Sequence, residues 1–333
     1  MDTIHTNRRQ FIAATAVAAG TSLIGLPAWA KSAYPSKPIR FIVPFNPGGA
    51  TDIVARVLGE AMSKKLGQPI IVENKAGASA MLGTDQVAKS APDGYNVVLS
   101  LSTSLLINQF LYSKMSYNPQ KDLLMLSEIA SAPVTLVVHP SVPANNMQEL
   151  LAWVKKNKSK VAYGSWGVGS YAHLGGAYMS KTMDADMSHV AYKGEAPMIQ
   201  ELIGGQLQLC FSSAQNTKPF IESGRLKVIG VTGKQRMTVL PNVPTIYEQG
   251  VTDDAYAIAG FVGMALPAGT PKDVVDTLYA ALKEAAQDAK VKERIDGAGF
   301  LQVFSNPQDF AKTYAQAVPV WKSLIEVAEA KVD

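Results

Sequence analysis

The stretch Val43-Pro44-Phe45-Asn46-Pro47-Gly48-Gly49-Ala50-Thr51-Asp52 leaves a β-rich run, 39–45, and enters a helical pattern through a pair of glycines. Downstream, Ile53, Val54, Val57, Leu58 and Ala61 recur on one helical face as far as Gly67, whose position suits a C-terminal cap. Apolar runs at 69–73 and 96–100, separated by a helical pattern at 81–89 and the turn Ala91-Pro92-Asp93-Gly94, continue the alternation. Strand, helix and strand in succession predict an α/β fold with a parallel component in its sheet.

The same grammar resumes at 134–138. There His139-Pro140 ends a strand, and Asn146-Met147-Gln148-Glu149 reads as a capping box for a helix through Lys156. Strands are expected at 161–164, 188–192, 207–211 and 227–231, with helices from about 173 and 195 and over 214–222. After the apolar run 257–266, the long helices expected from 271 and from 307 to about 330 have no strands of their own. They must cover an existing sheet, so the chain is expected to cross back near residue 258. The expected organisation is two lobes, 34–133 with 258–333 and 134–257, around a hinged cleft. About 300 residues in one chain exceed what a single core usually holds.

The first thirty residues stand apart. Asn7-Arg8-Arg9-Gln10-Phe11 precedes an Ala-rich apolar run that ends in Ala28-Trp29-Ala30, the pattern of a cleaved export signal, and the arginine pair points to the twin-arginine route. Thr21, Ser22, Gly25 and Pro27 dilute the run below what a spanning helix prefers. Without 1–30, which carry Arg8, Arg9 and Asp2, the formal charge falls from +4 to +3, too mild a bias to imply nucleic acid. The one dense basic run, Lys155 to Lys160, falls at a helix C-terminus, where cations complement the macrodipole. The single cysteine, Cys210, lies in an apolar strand and forms no intramolecular disulfide.

Two stretches can carry binding chemistry. In the first, Gly48 and Gly49 let backbone approach a ligand, and the helix that follows offers N–H groups and partial positive charge to an anion; the segment also fits a plain tight turn. Asp52 in the first helical turn reads as the organiser of the loop rather than an anion partner. The second, Ser165-Trp166-Gly167-Val168-Gly169-Ser170-Tyr171-Ala172-His173, holds a G-x-G-x-x-A pattern. The next strand runs into Lys193-Gly194 instead of an acidic residue, which argues against a dinucleotide and leaves a second anion-accepting loop. Each helix dipole contributes at most about 2 kcal/mol, whereas micromolar binding needs about 8 kcal/mol. Charge-assisted hydrogen bonds at about 1.5–3 kcal/mol must supply the rest, and Ser102, Thr103, Ser104, Ser165 and Ser170 are placed to help. No nucleophile elbow, zinc-protease or P-loop motif occurs after residue 30; Ser170 with His173 is the one pair that fits a hydrolase, and a cap with a polar neighbour explains it as well. No cofactor or metal ligand set is expected.

The run Phe45 to Arg56 closely resembles the signature of the Bug family, the receptors of tripartite tricarboxylate transporters. Glu73-Asn74-Lys75-Ala76-Gly77, Ala91-Pro92-Asp93-Gly94-Tyr95, Tyr192-Lys193-Gly194, Gly204-Gly205-Gln206, Leu240 to Thr245 and Pro267 to Pro271 resemble that family in its usual order. The resemblance implies a periplasmic two-lobed binding protein of type II that closes on a small carboxylate and is not an enzyme. It implies a monomer serving a two-subunit membrane permease, or a signalling protein where no permease is present. Carried onto this chain, one jaw is Phe45, Asn46, Pro47, Gly48, Gly49, Thr51 and Asp52. The other is Ser165, Trp166, Gly167, Val168, Gly169, Ser170 and His173, with Lys193 nearby and Ser102, Thr103 and Ser104 as floor. Two departures bear on the ligand. Ser212-Ser213 stand where many relatives carry an Asp, so the pocket is expected to lack an anion there and to favour a second carboxylate or a neutral tail over an amino acid. Trp166 stands where small polar residues are usual, a surface on which an aromatic acid would stack.

Overall fold

The computed structural model describes residues 34–332; the export signal expected in 1–30 lies outside them. Two mixed sheets form a two-lobed α/β architecture. The first has the strand order β11-β4-β10-β3-β1-β2, with β1 Ile39–Val43, β2 Ile70–Asn74, β3 Asn96–Leu101, β4 Leu123–Ala132, β10 Gly260–Pro267 and β11 Leu301–Gln302. The second has the order β7-β6-β8-β5-β9, with β5 Thr135–Val138, β6 Ala162–Ser165, β7 Ser188–Ala191, β8 Leu209–Ser212 and β9 Lys227–Val231.

β1 is parallel to both β2 and β3, joined through the helices Ala50–Leu66 and Met81–Ala88, as the alternation predicts. In the second sheet β6 lies parallel to β7 and β8, so the loops that follow these strands emerge at one end. β1 is nearly free of polar residues because both its faces are covered: Ile39, Phe41, Ile42 and Val43 are fully buried. The helix Ala50–Leu66 ends as expected, with Gly67 left-handed at φ 64° and its N–H bonded to the carbonyl of Ser63. Asn146 caps the helix Met147–Lys156, its side chain accepting from the N–H of Glu149 at 2.9 Å. Cys210 is buried in β8, and burial pushes its thiol pKa up.

Three features depart from the sequence expectation. The C-terminal helices do bring a strand of their own, the two-residue β11, too short to leave a pattern in the sequence and defined by its antiparallel pairing with β4. β4, ten residues long, has no counterpart in that expectation, because Leu123-Leu124-Met125-Leu126 and Glu128 are good helix formers. Its antiparallel pairing along the whole of β10, a tertiary contact, makes it a strand. The helix Pro307–Val327 does more than cover the first sheet. It packs on β4 and also on the helix Tyr171–Thr182, with Trp321 edge-on to Tyr171 at 5.9 Å between ring centroids. One buried cluster consequently runs from Ile42 and Val98 through Trp321 and Leu324 to Phe211 and Leu136.

The chain passes between the sheets twice in a narrow strip. β4 ends at Ala132 and β5 begins at Thr135, while Gly260, which opens β10, pairs with Ala132. Thr232 ties the strip together: its Oγ1 accepts from the N–H of Val134 and its own N–H donates to the carbonyl of Val134, both at 2.9 Å.

Candidate functional site

The loop between β1 and the helix Ala50–Leu66 is built around Asp52. Its carboxylate is 2 % exposed and accepts from the N–H of Gly48 at 2.9 Å, from Asn74 Nδ2 at 2.9 Å and from Arg56 Nε at 3.0 Å. Asn74 Nδ2 also reaches the carbonyl of Phe45 at 3.1 Å, so the end of β2 fixes both ends of the loop. Burial pushes the Asp52 carboxyl pKa up, but Arg56, the Gly48 N–H and Asn74 together hold it below the usual carboxylate value. Gly48 has φ 83°, a left-handed backbone that turns the chain into the helix. The N-cap, Gly49, has no side-chain cap. The N–H groups of the first helical turn are therefore left for an incoming acceptor. One expectation changes: the Gly48 N–H is already used by Asp52, so the available donors lie from Gly49 onward.

This helix terminus opens on a cavity of about 350 Å³ between the sheets. Phe45, Gly49, Ala50, Thr51, Ser102 and Thr103 line it from the first sheet, and Trp166, Gly169, Ser170, Tyr171, Ser213 and Asn216 from the second. Pro133, Val134, Thr232 and Gly260 of the crossing strip, with Phe261, Phe300 and Trp321, complete the walls. A larger groove of about 610 Å³ beside Pro119, Tyr279 and Tyr314 has none of these loops and touches only the first sheet's side.

The opposite jaw is held as firmly. Ser165, fully buried, pairs with His189 Nε2 at 2.7 Å, and Ser170 is the N-cap of the helix Tyr171–Thr182, accepting from the N–H of His173 at 3.3 Å. The His173 ring is engaged elsewhere: its Nδ1 accepts from the N–H of Gly169 at 3.1 Å and its face stacks on His189 at 4.1 Å. Ser170 meets the backbone N–H of His173 rather than its ring, which is the geometry of a cap and not of a nucleophile with its base. Burial, then the neighbouring His189, lowers the His173 pKa to about 4.

A family model described as tripartite tricarboxylate transporter family receptor matches residues 54–329. The chain belongs to that family. The periplasmic binding protein BugD is 35 % identical, with a TM-score of 0.72 over 90 % of this chain and 100 % of that one. An R. palustris protein solved with adipate is 27 % identical, with a TM-score of 0.75 over 90 % and 100 %. MatC from Rhodopseudomonas palustris, solved with malate, is 27 % identical, with a TM-score of 0.71 over 88 % and 100 %. Receptors of this family are periplasmic solute-binding proteins for small carboxylates that work with transporters, not enzymes.

Within this receptor the residues singled out in the sequence divide. Phe45, Gly49, Thr51, Ser102, Thr103, Trp166, Gly169, Ser170 and Ser213 border the cavity. Asn46, Pro47 and Gly48 are exposed at its edge, and Asp52 lies behind them. Ser104 points into the first lobe, bonded to Ser100 and Thr84, and Lys193 is exposed outside the cavity. Ser165, Gly167 and Val168 shape the second loop from behind or outside, His173 lies on its far side, and Ser212 is buried at the end of β8. The expectation of no anion beside Ser212-Ser213 does not hold. Glu195 places its carboxylate there, with Oε2 2.7 Å from Ser212 Oγ and 2.6 Å from Ser213 Oγ, and it lines the cavity. Glu195, Asn216, Thr232 and Trp321 were not legible as site residues because each comes from a different element, far apart in sequence. Asn74 was legible only as part of a motif.

Proposed function

We propose that the protein is an exported periplasmic receptor that captures a small organic carboxylate between loops 46–52 and 165–170 and delivers it to a two-subunit membrane permease. The carboxylate is received by the N–H groups at the head of the helix Ala50–Leu66, and the remainder of the ligand lies against Trp166. The observation that carries this reading is the uncapped helix terminus opening on the cavity between the sheets. The adipate and malate held by two relatives of this chain support the ligand class. The lobes are 34–133 with 258–333 and 134–257, and they close about the strip at Pro133-Val134 and Ile258-Ala259. Residues 1–30 act as a cleaved twin-arginine signal.

The test is thermal unfolding of residues 31–333 against a panel of mono-, di- and tricarboxylates and their primary amides. A true ligand at a hundredfold excess over its Kd stabilises the native state by about 2.7 kcal/mol, so the matching acid raises Tm by several degrees while its amide does not. Equal shifts for acids and amides would overturn the carboxylate reading.

A further inference from the structure

Two of the helix heads that border the cavity differ in what stands before them. At Ala50–Leu66 the N-cap Gly49 carries no side-chain cap. At Ala214–Glu222 the N-cap is Ser213, and the anion position in front of it is filled by a residue from another helix. Glu195 Oε2 accepts from the N–H of Ser213 at 3.1 Å, from Ser213 Oγ at 2.6 Å, from Ser212 Oγ at 2.7 Å and from Asn216 Nδ2 at 2.7 Å. A backbone N–H at a helix head, two hydroxyls and an amide are the donors that a bound carboxylate would take. Glu195 opens the helix Glu195–Ile203 but reaches across to the neighbouring helix, and Glu195, Ser213 and Asn216 all border the cavity.

We propose that Glu195 is a built-in occupant of a second carboxylate seat and thereby sets the charge of the ligand. The cleft accepts one carboxylate, at Gly49–Thr51, and requires the far end of the ligand to be neutral or to offer a hydrogen-bond donor. A second carboxylate is refused, because its donors are taken and a like charge already stands in the seat. This rests on the carboxylate reading above and adds selectivity to it. A simple brace between two helices would give Glu195 a role in stability without any effect on which acid is bound.

Isothermal titration of residues 31–333 with succinate, glutarate and adipate, each beside the monocarboxylate of equal length, separates these cases. The wild type is expected to bind the monocarboxylate at least about tenfold more tightly than its diacid. In Glu195→Ala the vacated seat tightens the best diacid by about tenfold and leaves the monocarboxylate within about threefold. Glu195→Gln keeps the shape without the charge and shifts the ratio in the same direction by less, and it decides the matter should the alanine variant fail to fold. A wild type that prefers diacids, or a monoacid-to-diacid ratio unchanged in the folded variants, overturns the role of Glu195 alone. A wild type in which acids and their primary amides bind alike overturns the carboxylate reading together with it.

Discussion

Asp52 is the residue on which the first jaw depends. Its carboxylate, almost fully buried, joins the turn at Gly48, the helix residue Arg56 and the strand residue Asn74. Replacing it with alanine strands the Gly48 N–H and the Asn74 amide, and the expected cost is about 2 kcal/mol, seen as a lower Tm in thermal unfolding. The same variant should bind carboxylates more weakly, because the donors at Gly49 onward lose their fixed direction. The depressed Asp52 pKa has a defined sign. It contributes stability that is present above the pKa of the unfolded carboxyl and is lost as pH falls through the lower folded value. At this scale the sequence was informative about Asp52, since an acid in the first turn after a glycine pair has few other uses. It was silent about Glu195, whose partners Ser212, Ser213 and Asn216 lie on another strand and helix.

At the scale of elements, the second jaw is held by stacked rings rather than charges. β6 and β7 bring Tyr163 onto His189 at 5.0 Å and His189 onto His173 at 4.1 Å, and His173 then fixes Gly169 in the loop. That last bond needs an unprotonated Nδ1. Since the folded pKa of His173 is about 4, below its ordinary 6.5, the fold favours the neutral ring. Its contribution, about 3 kcal/mol, is complete above pH 6.5 and is lost progressively as the pH falls toward about 4. Tm measured across that window should fall with pH, and His173→Asn, which leaves an acceptor for Gly169, should flatten the slope. A slope unchanged in the variant would assign the acid lability to other groups. β4 makes the complementary point about elements: its Leu- and Met-rich start has helical propensity, and pairing with β10 overrides it.

For the whole molecule, the proposed closure has to accommodate more than the two crossing segments. The helix Pro307–Val327 lies against both β4 and the helix Tyr171–Thr182, so any hinge motion slides or carries this helix. Gly169 meets Leu111 across the cleft: a Cβ added there would fall 2.3 Å from Leu111 Cδ1, at a backbone φ of 78°. Gly169→Ala should therefore hold the lobes apart. Small-angle scattering is expected to show contraction on ligand addition for the wild type and little or none for the variant, with affinity reduced at least about tenfold. Equal contraction in both would place the closing contact elsewhere.

The α/β alternation, the glycine turn before Asp52, the caps at Gly67 and Asn146 and the family to which the chain belongs were all legible along the chain, because they are written in residues close together. That Leu123–Ala132 is a strand, that Pro307–Val327 reaches both sheets and that the Glu195 carboxylate lines the cavity became visible in the fold alone. Each of those depends on contacts between distant segments, and no local pattern encodes them. The loop at 46–52 shows both sides: its composition suits an anion-accepting turn, but the fold commits the Gly48 N–H to Asp52 and leaves free donors only from Gly49 onward.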